Sequence, residues 1–189
     1  MILLVDCGYK FIHRLEDLID QYVDLKTVSI FDIDESSIDE NIKGIIISSA
    51  HLSVHESNTD NYQNKIDLLL KLELPILGIG VGHHFLGLCF QALPAYQPYI
   101  NELVEIGLIE ETSLFDKLPP DLELMEDHAG TISIPQNFKL LASSDSSINE
   151  AMMHTTKPIY GVQFIPELSG NYGAIIIENF VNISLQTKG

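Results

Sequence analysis

Runs of four or five consecutive apolar residues, each closed by a turn residue and followed by apolar positions at helical spacing, dominate the first half of the chain. Ile2 to Val5 forms such a run and ends at Asp6-Cys7-Gly8; Phe11, Leu15, Leu18, Ile19 and Tyr22 then repeat every three or four residues. The pattern predicts a strand, a turn and an amphipathic helix. Thr27 to Phe31 predicts a second strand, the acidic stretch Asp34 to Asn41 a short helix, and Gly44 to Ser48 a third strand of buried type. Ile66, Leu69, Leu70 and Leu72 mark another helix, stopped by Pro75; Ile76 to Ile79 follow as a fourth buried strand, and Phe85, Leu86 and Cys89 lie on the next helix. Short strands without a polar face, alternating with helices, predict an α/β fold built on a doubly wound, mostly parallel sheet of flavodoxin-like type.

Beyond Leu93 the period changes. Glu102 to Ile109 alternates polar with apolar, Pro119-Pro120 punctuates a loop, and Leu122 to Met125, Thr131 to Ile134, Lys139 to Ala142 and Ile159 to Phe164 read as short strands. These predict antiparallel additions to the sheet, and a final helix over about 172–185 covers one face. No repeat or linker-like shift interrupts the pattern, so residues 1–189 are expected to form a single domain.

Composition narrows the partners more than the fold. Ten Lys and Arg stand against 27 Asp and Glu, a formal net charge of -17 that repels nucleic acid and anionic membrane surfaces. No apolar run is long enough for a membrane span, the amino terminus carries no signal-like basic and apolar regions, and Cys7 and Cys89 sit among apolar neighbours as core thiols. A cytoplasmic protein is expected, with no nucleic acid, no membrane and no cofactor.

In parallel sheets, chemistry collects at the carboxyl ends of the strands. Three tips are candidates: Ser48-Ser49-Ala50-His51, Gly80-Val81-Gly82-His83-His84, and Ile165-Pro166-Glu167. The second follows Ile76-Leu77-Gly78-Ile79, and its close glycines have the form of a nucleophile elbow, in which small neighbours let a strand turn sharply into a helix and expose the central side chain. Here the central residue is Gly80.

Together these motifs resemble the class-I glutamine amidotransferase family. Gly78-Ile79-Gly80-Val81-Gly82-His83-His84 is similar to the family's Gly-x-Cys-x-Gly-x-Gln elbow, with Gly80 at the cysteine and His84 at the glutamine. Gly161-Val162-Gln163-Phe164-Ile165-Pro166-Glu167 is similar to Gly-Val-Gln-Phe-His-Pro-Glu, with Ile165 at the catalytic histidine. Ile2 to Gly8, Gly44 to Val54, Leu114 to Pro119 and His128 extend the resemblance over nearly the whole chain, toward the amidotransferase subunits of GMP synthases.

The resemblance implies a thiolate, a histidine base and an orienting carboxylate at positions 80, 165 and 167, beside an oxyanion strand. Only Glu167 retains its role, and Ser49-Ala50-His51 stands where the oxyanion strand carries Gly-Gly-Pro. The triad is therefore not intact, and the expected function is that of a binding or regulatory pseudoenzyme. The former pocket would be lined by Ser49, Ala50, His51, Gly82, His83, His84, His128 and Gln163. A synthetase-type partner or a second copy of the chain would dock at the pocket face, or a small polar ligand would occupy the pocket. The alternative is an enzyme that uses other residues: a family hydrolase, or a metal-assisted hydrolase built on His51, His55, His83, His84 and His128. The spacing of these histidines matches no established zinc motif, so no metal is assigned.

Overall fold

The computed structural model describes residues 1–34, 38–55 and 57–186. Nine strands form one sheet: β1 (Ile2–Asp6), β2 (Leu25–Ser29), β3 (Gly44–Ile47), β4 (Ile76–Ile79), β6 (Ile100–Leu108), β7 (Asp121–His128), β9 (Phe138–Ser143), β10 (Ala151–His154) and β11 (Ile159–Val162). Their order across the sheet is β2-β1-β3-β4-β11-β10-β9-β6-β7. The short strands β5 (Pro94–Ala95) and β8 (Thr131–Ile132) pair separately.

The buried strands are parallel where the apolar runs require it. β1 pairs with β2 and β3, and β4 pairs with β3 and β11, all in parallel register. Each of these runs except β2 is covered on both sides. Alternate residues feed two cores: Leu4, Ile46, Leu77, Ile79 and Val162 pack beneath α1 (Ile12–Ile19) and α4 (Gly170–Gln186), and Leu3, Val5, Ile45, Ile47 and Ile76 beneath α2 (Asp60–Leu70) and α3 (Val81–Cys89). The period of two along a strand thus supplies both layers from one apolar run.

Three elements differ from expectation. Residues 159–164, read as an antiparallel addition, provide β11, a fifth parallel strand beside β4, since periodicity carries no information about strand direction. Ala151 to His154, at Met152-Met153, is a strand that the short apolar stretch did not announce. The helix expected over Asp34 to Asn41 falls partly outside the described residues; those described at 38–41 form no helix. The antiparallel half is otherwise present, with β10 paired to β11 and β9, and β6 to β9 and β7.

Helix α3 approaches the sheet closely because position 82 has no side chain. A Cβ there would sit 2.5 Å from the carbonyl oxygen of Ile47 and 2.6 Å from that of Ser48. Gly82→Ala should therefore displace the helix start and cost on the order of 1 to 3 kcal/mol. The urea unfolding midpoint reads the loss; an unchanged midpoint would show that helix and strand are free to separate.

Candidate functional site

Because β3, β4 and β11 are adjacent and parallel, their carboxyl ends place Ser48-Ser49, Gly80 and Gln163 to Glu167 side by side. Gly80 has φ 55° and ψ -121° and stands at the start of α3. Its amide donates to the carbonyl of Val162 at 2.9 Å, and its carbonyl accepts from the His83 amide at 3.0 Å. The elbow is thus locked by backbone bonds on both sides, in a conformation that L side chains rarely adopt.

The space a side chain at position 80 would need is already filled. A Cβ built there would lie 2.8 Å from Ile165 Cδ1 and 2.8 Å from Ser49 Cβ, with the Ser49 hydroxyl closer still. Ser49 Oγ accepts from the Val81 amide at 3.1 Å, satisfying an N-terminal donor of α3. Ser48 accepts from the Cys7 amide at 2.9 Å and donates to the Ser49 carbonyl at 2.9 Å, so both serines serve the backbone. Ser49 and Ile165 have no exposed surface.

Glu167 follows in a single helical turn, Pro166–Leu168. Both of its carboxylate oxygens are buried without a hydrogen-bond partner among the described residues, and burial pushes its pKa up to about 7. Nearby Asp127 has the opposite surroundings. Burial would raise it, but hydrogen bonds from Tyr99 (2.5 Å) and Tyr9 (2.7 Å), with Lys10 at 3.1 Å, hold its carboxyl below the usual range. Among the described residues Glu167 has no such partners, and the neighbouring Ile165 side chain offers only carbon.

The sequence-predicted residues divide into two groups. His83, His84, His128 and Gln163 come together in the interior beside the elbow, with ring centroids 5.5 Å apart for His83 and His84 and 5.6 Å for His84 and His128. His51 is exposed and rests on Tyr9, while His55 is exposed beside Tyr96. Ala50 is buried, and Gly82 is buried in the first turn of α3. No three His, Cys, Asp or Glu side chains among the described residues are placed to hold a metal ion.

The interior group belongs to a larger polar network that includes Glu126 and Glu150, which the motifs did not flag. His84 Nε2 lies 3.0 Å from Gln163 Oε1, and an amide oxygen only accepts, so Nε2 carries the proton. Gln163 donates to Glu150 at 3.3 Å, and the Ser144 hydroxyl donates to the same carboxyl at 2.6 Å. His128 Nδ1 donates to the Gly130 carbonyl at 3.0 Å, which leaves its Nε2 to meet Glu126. Burial lowers His128 and raises Glu126 to about 7, so both partners of this contact are pushed toward their neutral forms. Glu150 is raised to about 9 by burial and by the Glu126 charge. The alternation that buries Leu122 and Leu124 also places Glu126 on the core face of β7, and this was its one visible signal.

The chain belongs to the class-I glutamine amidotransferase family, whose model matches residues 3–183. Within that family it is similar to the glutamine-hydrolysing GMP synthase subunit of Methanocaldococcus jannaschii, with 31% identity over 97% of both chains. The corresponding protein of Pyrococcus furiosus is 34% identical over 97% of this chain and 98% of the relative. A solved GMP synthase subunit from Thermoplasma acidophilum superposes with a TM-score of 0.88 at 29% identity, covering 97% of this chain and 93% of its own. A glutamine amidotransferase of Thermotoga maritima has the same fold, with a TM-score of 0.72 at 16% identity over 96% of this chain and 82% of its own.

The network fixes the sign of the pH dependence. The raised carboxyls bind protons more tightly in the native chain, so their contribution is whole below their unfolded value of 4.5 and is lost as pH rises through the neutral range. The lowered histidines act oppositely, and their contribution is lost as pH falls below 6.5. Glu150→Gln should remove much of the alkaline decline, on the order of 1 to 3 kcal/mol between pH 6 and 9. Urea midpoints at the two pH values test this, and parallel declines in both proteins would refute the part assigned to Glu150.

Proposed function

We propose that this amidotransferase-family chain does not hydrolyse glutamine at its elbow and serves instead as a binding subunit for a synthetase-type protein. The observation that carries this reading is Gly80 in its left-handed conformation, with Ser49 and Ile165 occupying the space of a nucleophile and its base. Amidotransferase chemistry needs a thiolate to form a covalent acyl intermediate and a base to deliver a proton to ammonia. Gly80 has no side chain, and Ile165 has no exchangeable proton. The nearest hydroxyl, Ser49, is buried and accepts from a backbone amide, a role that serves the helix start and not catalysis.

A docking role agrees with the relatives, which are subunits by name. It also agrees with the rim around the strand tips, where Leu93, Tyr96, Tyr99 and Ile148 expose 61 to 72% of their surface. Tyr99 bonds Asp127 and Tyr96 meets the exposed His55, while Leu93 and Ile148 line one surface cleft together. Apolar and aromatic side chains grouped in this way suit a protein interface.

Purified protein, alone and with a synthetase subunit from the same source, should release no ammonia from glutamine above background. Turnover that disappears on mutation of Ser49 or His84 would contradict the proposal. Gly80→Cys alone should remain inactive and lose on the order of 1 to 3 kcal/mol of stability, because it imposes a Cβ on the strained backbone. Adding Ser49→Gly and Ile165→His should recover part of that stability and permit acylation of the new cysteine by glutamine. A fully stable single variant would show that the space around position 80 is open.

A further inference from the structure

Strands β6 and β7 extend beyond their neighbour. β6 pairs with β7 over Ile100 to Gly107, but with β9 only at Gly107 and Leu108, so among the described residues Ile100 to Ile106 carries no strand on that side. The Leu108 amide bonds Pro120 on the β7 side, and the Ile109 amide bonds Leu141 on the β9 side. Strand alternation then directs the amides and carbonyls of Asn101, Leu103 and Glu105 toward the open edge. A cleft of about 580 Å³ runs along this edge, lined by Glu102, Leu103, Val104, Glu105, Asp121 and Ser143 to Ser146.

The charge along this edge selects its occupant. Glu102, Glu105, Asp121 and Asp145 line the cleft, and among the described residues no lysine or arginine does. Glu105 also lies directly opposite Glu123 across the ribbon, a like-charge pair that costs stability. A second copy adding its own edge in antiparallel fashion must set outward residues against outward ones: centred on Leu103 it brings Glu102 against Val104 and Glu105 against Asn101, and centred on Glu102 it sets Glu102 against Glu102. Self-pairing therefore supplies no counter-charge to either carboxylate, whereas a strand with cations opposite Glu102 and Glu105 supplies one to each.

We propose that the open edge of β6 binds an extended peptide segment of a partner protein by strand addition, and that the segment reads basic-apolar-apolar-basic opposite Glu102, Leu103, Val104 and Glu105. Backbone bonds to Leu103 and Glu105 supply affinity, and side-chain alternation supplies specificity. One face pairs Leu103 with an apolar residue and Glu105 with a cation; the other pairs Val104 with an apolar residue and Glu102 with a cation.

The probe is a short acetylated and amidated peptide with lysine-valine-valine-lysine at its centre, titrated into the full chain and followed by amide chemical shifts and calorimetry. Binding should perturb the amides of Asn101, Leu103 and Glu105 and weaken with added salt. Replacing both lysines by glutamates should weaken it by about tenfold or more. The double variant Glu102→Lys/Glu105→Lys should reverse the preference toward the glutamate peptide. Leu103→Pro, which removes an outward amide without breaking a bond to β7, should abolish binding; retained shift dispersion would establish that this variant is folded. Absence of binding to the wild-type chain, shifts confined to other residues, or equal affinity for both peptides would overturn the proposal.

Discussion

The contact among Gly80, Ser49 and Ile165 governs the carboxyl end of this sheet. Position 80 must turn β4 into α3 within one residue, and the backbone does so at φ 55° and ψ -121°, where a Cβ is costly. In an active site, that cost is accepted because the exposed side chain performs the chemistry. Here the residue is glycine, the cost is absent, and two neighbouring side chains have closed over the turn. Ser49 completes the helix start by accepting from Val81, and the fully buried Ile165 side chain packs against position 80. The three residues are mutually consistent: Ser49 and Ile165 fill the space that Gly80 leaves.

The remaining polar groups show what closure leaves behind. Glu167 keeps its place but has no partner for its carboxyl oxygens among the described residues, and burial holds it partly protonated near neutrality. Next to the elbow, Gln163 links His84 to Glu150 by hydrogen bonds, while Glu126 and His128 meet in the buried interior beside them. Such a network in low dielectric is stable only in a particular set of protonation states, which ties the folding of this half of the chain to pH.

Much of the parallel half was legible in the sequence, because a strand covered on both faces must be apolar throughout and a helix beside it must repeat every three or four residues. Ile45-Ile46-Ile47 and Ile76-Leu77 state this directly. Strand direction was not legible: Ile159 to Val162 has the same composition whether it runs with β4 or against it. The elbow was visible through spacing, but its closure was not, since only coordinates place Ser49 and Ile165 against Gly80. The histidines illustrate the same limit. Sequence order gathered five, whereas the fold buries His83, His84 and His128 together and leaves His51 and His55 on the surface. Glu150 lay hidden because its partners, Gln163 and Ser144, come from other turns of the chain.

The acidic surface bears on the same site. With a net charge of -17, the chain has few cations to spend, and Lys10 is one of them, held beside Asp127 at the rim of the closed elbow. That the elbow offers no accessible nucleophile to a glutamine-like substrate is tested most directly by incubating the protein with an electrophilic glutamine analogue and recording its intact mass. The mass of the native chain should stay unchanged, and the Ser49→Gly, Gly80→Cys, Ile165→His variant should gain a single adduct at position 80. A stoichiometric adduct on the native chain, mapped to any residue lining the strand tips, would contradict the closed elbow.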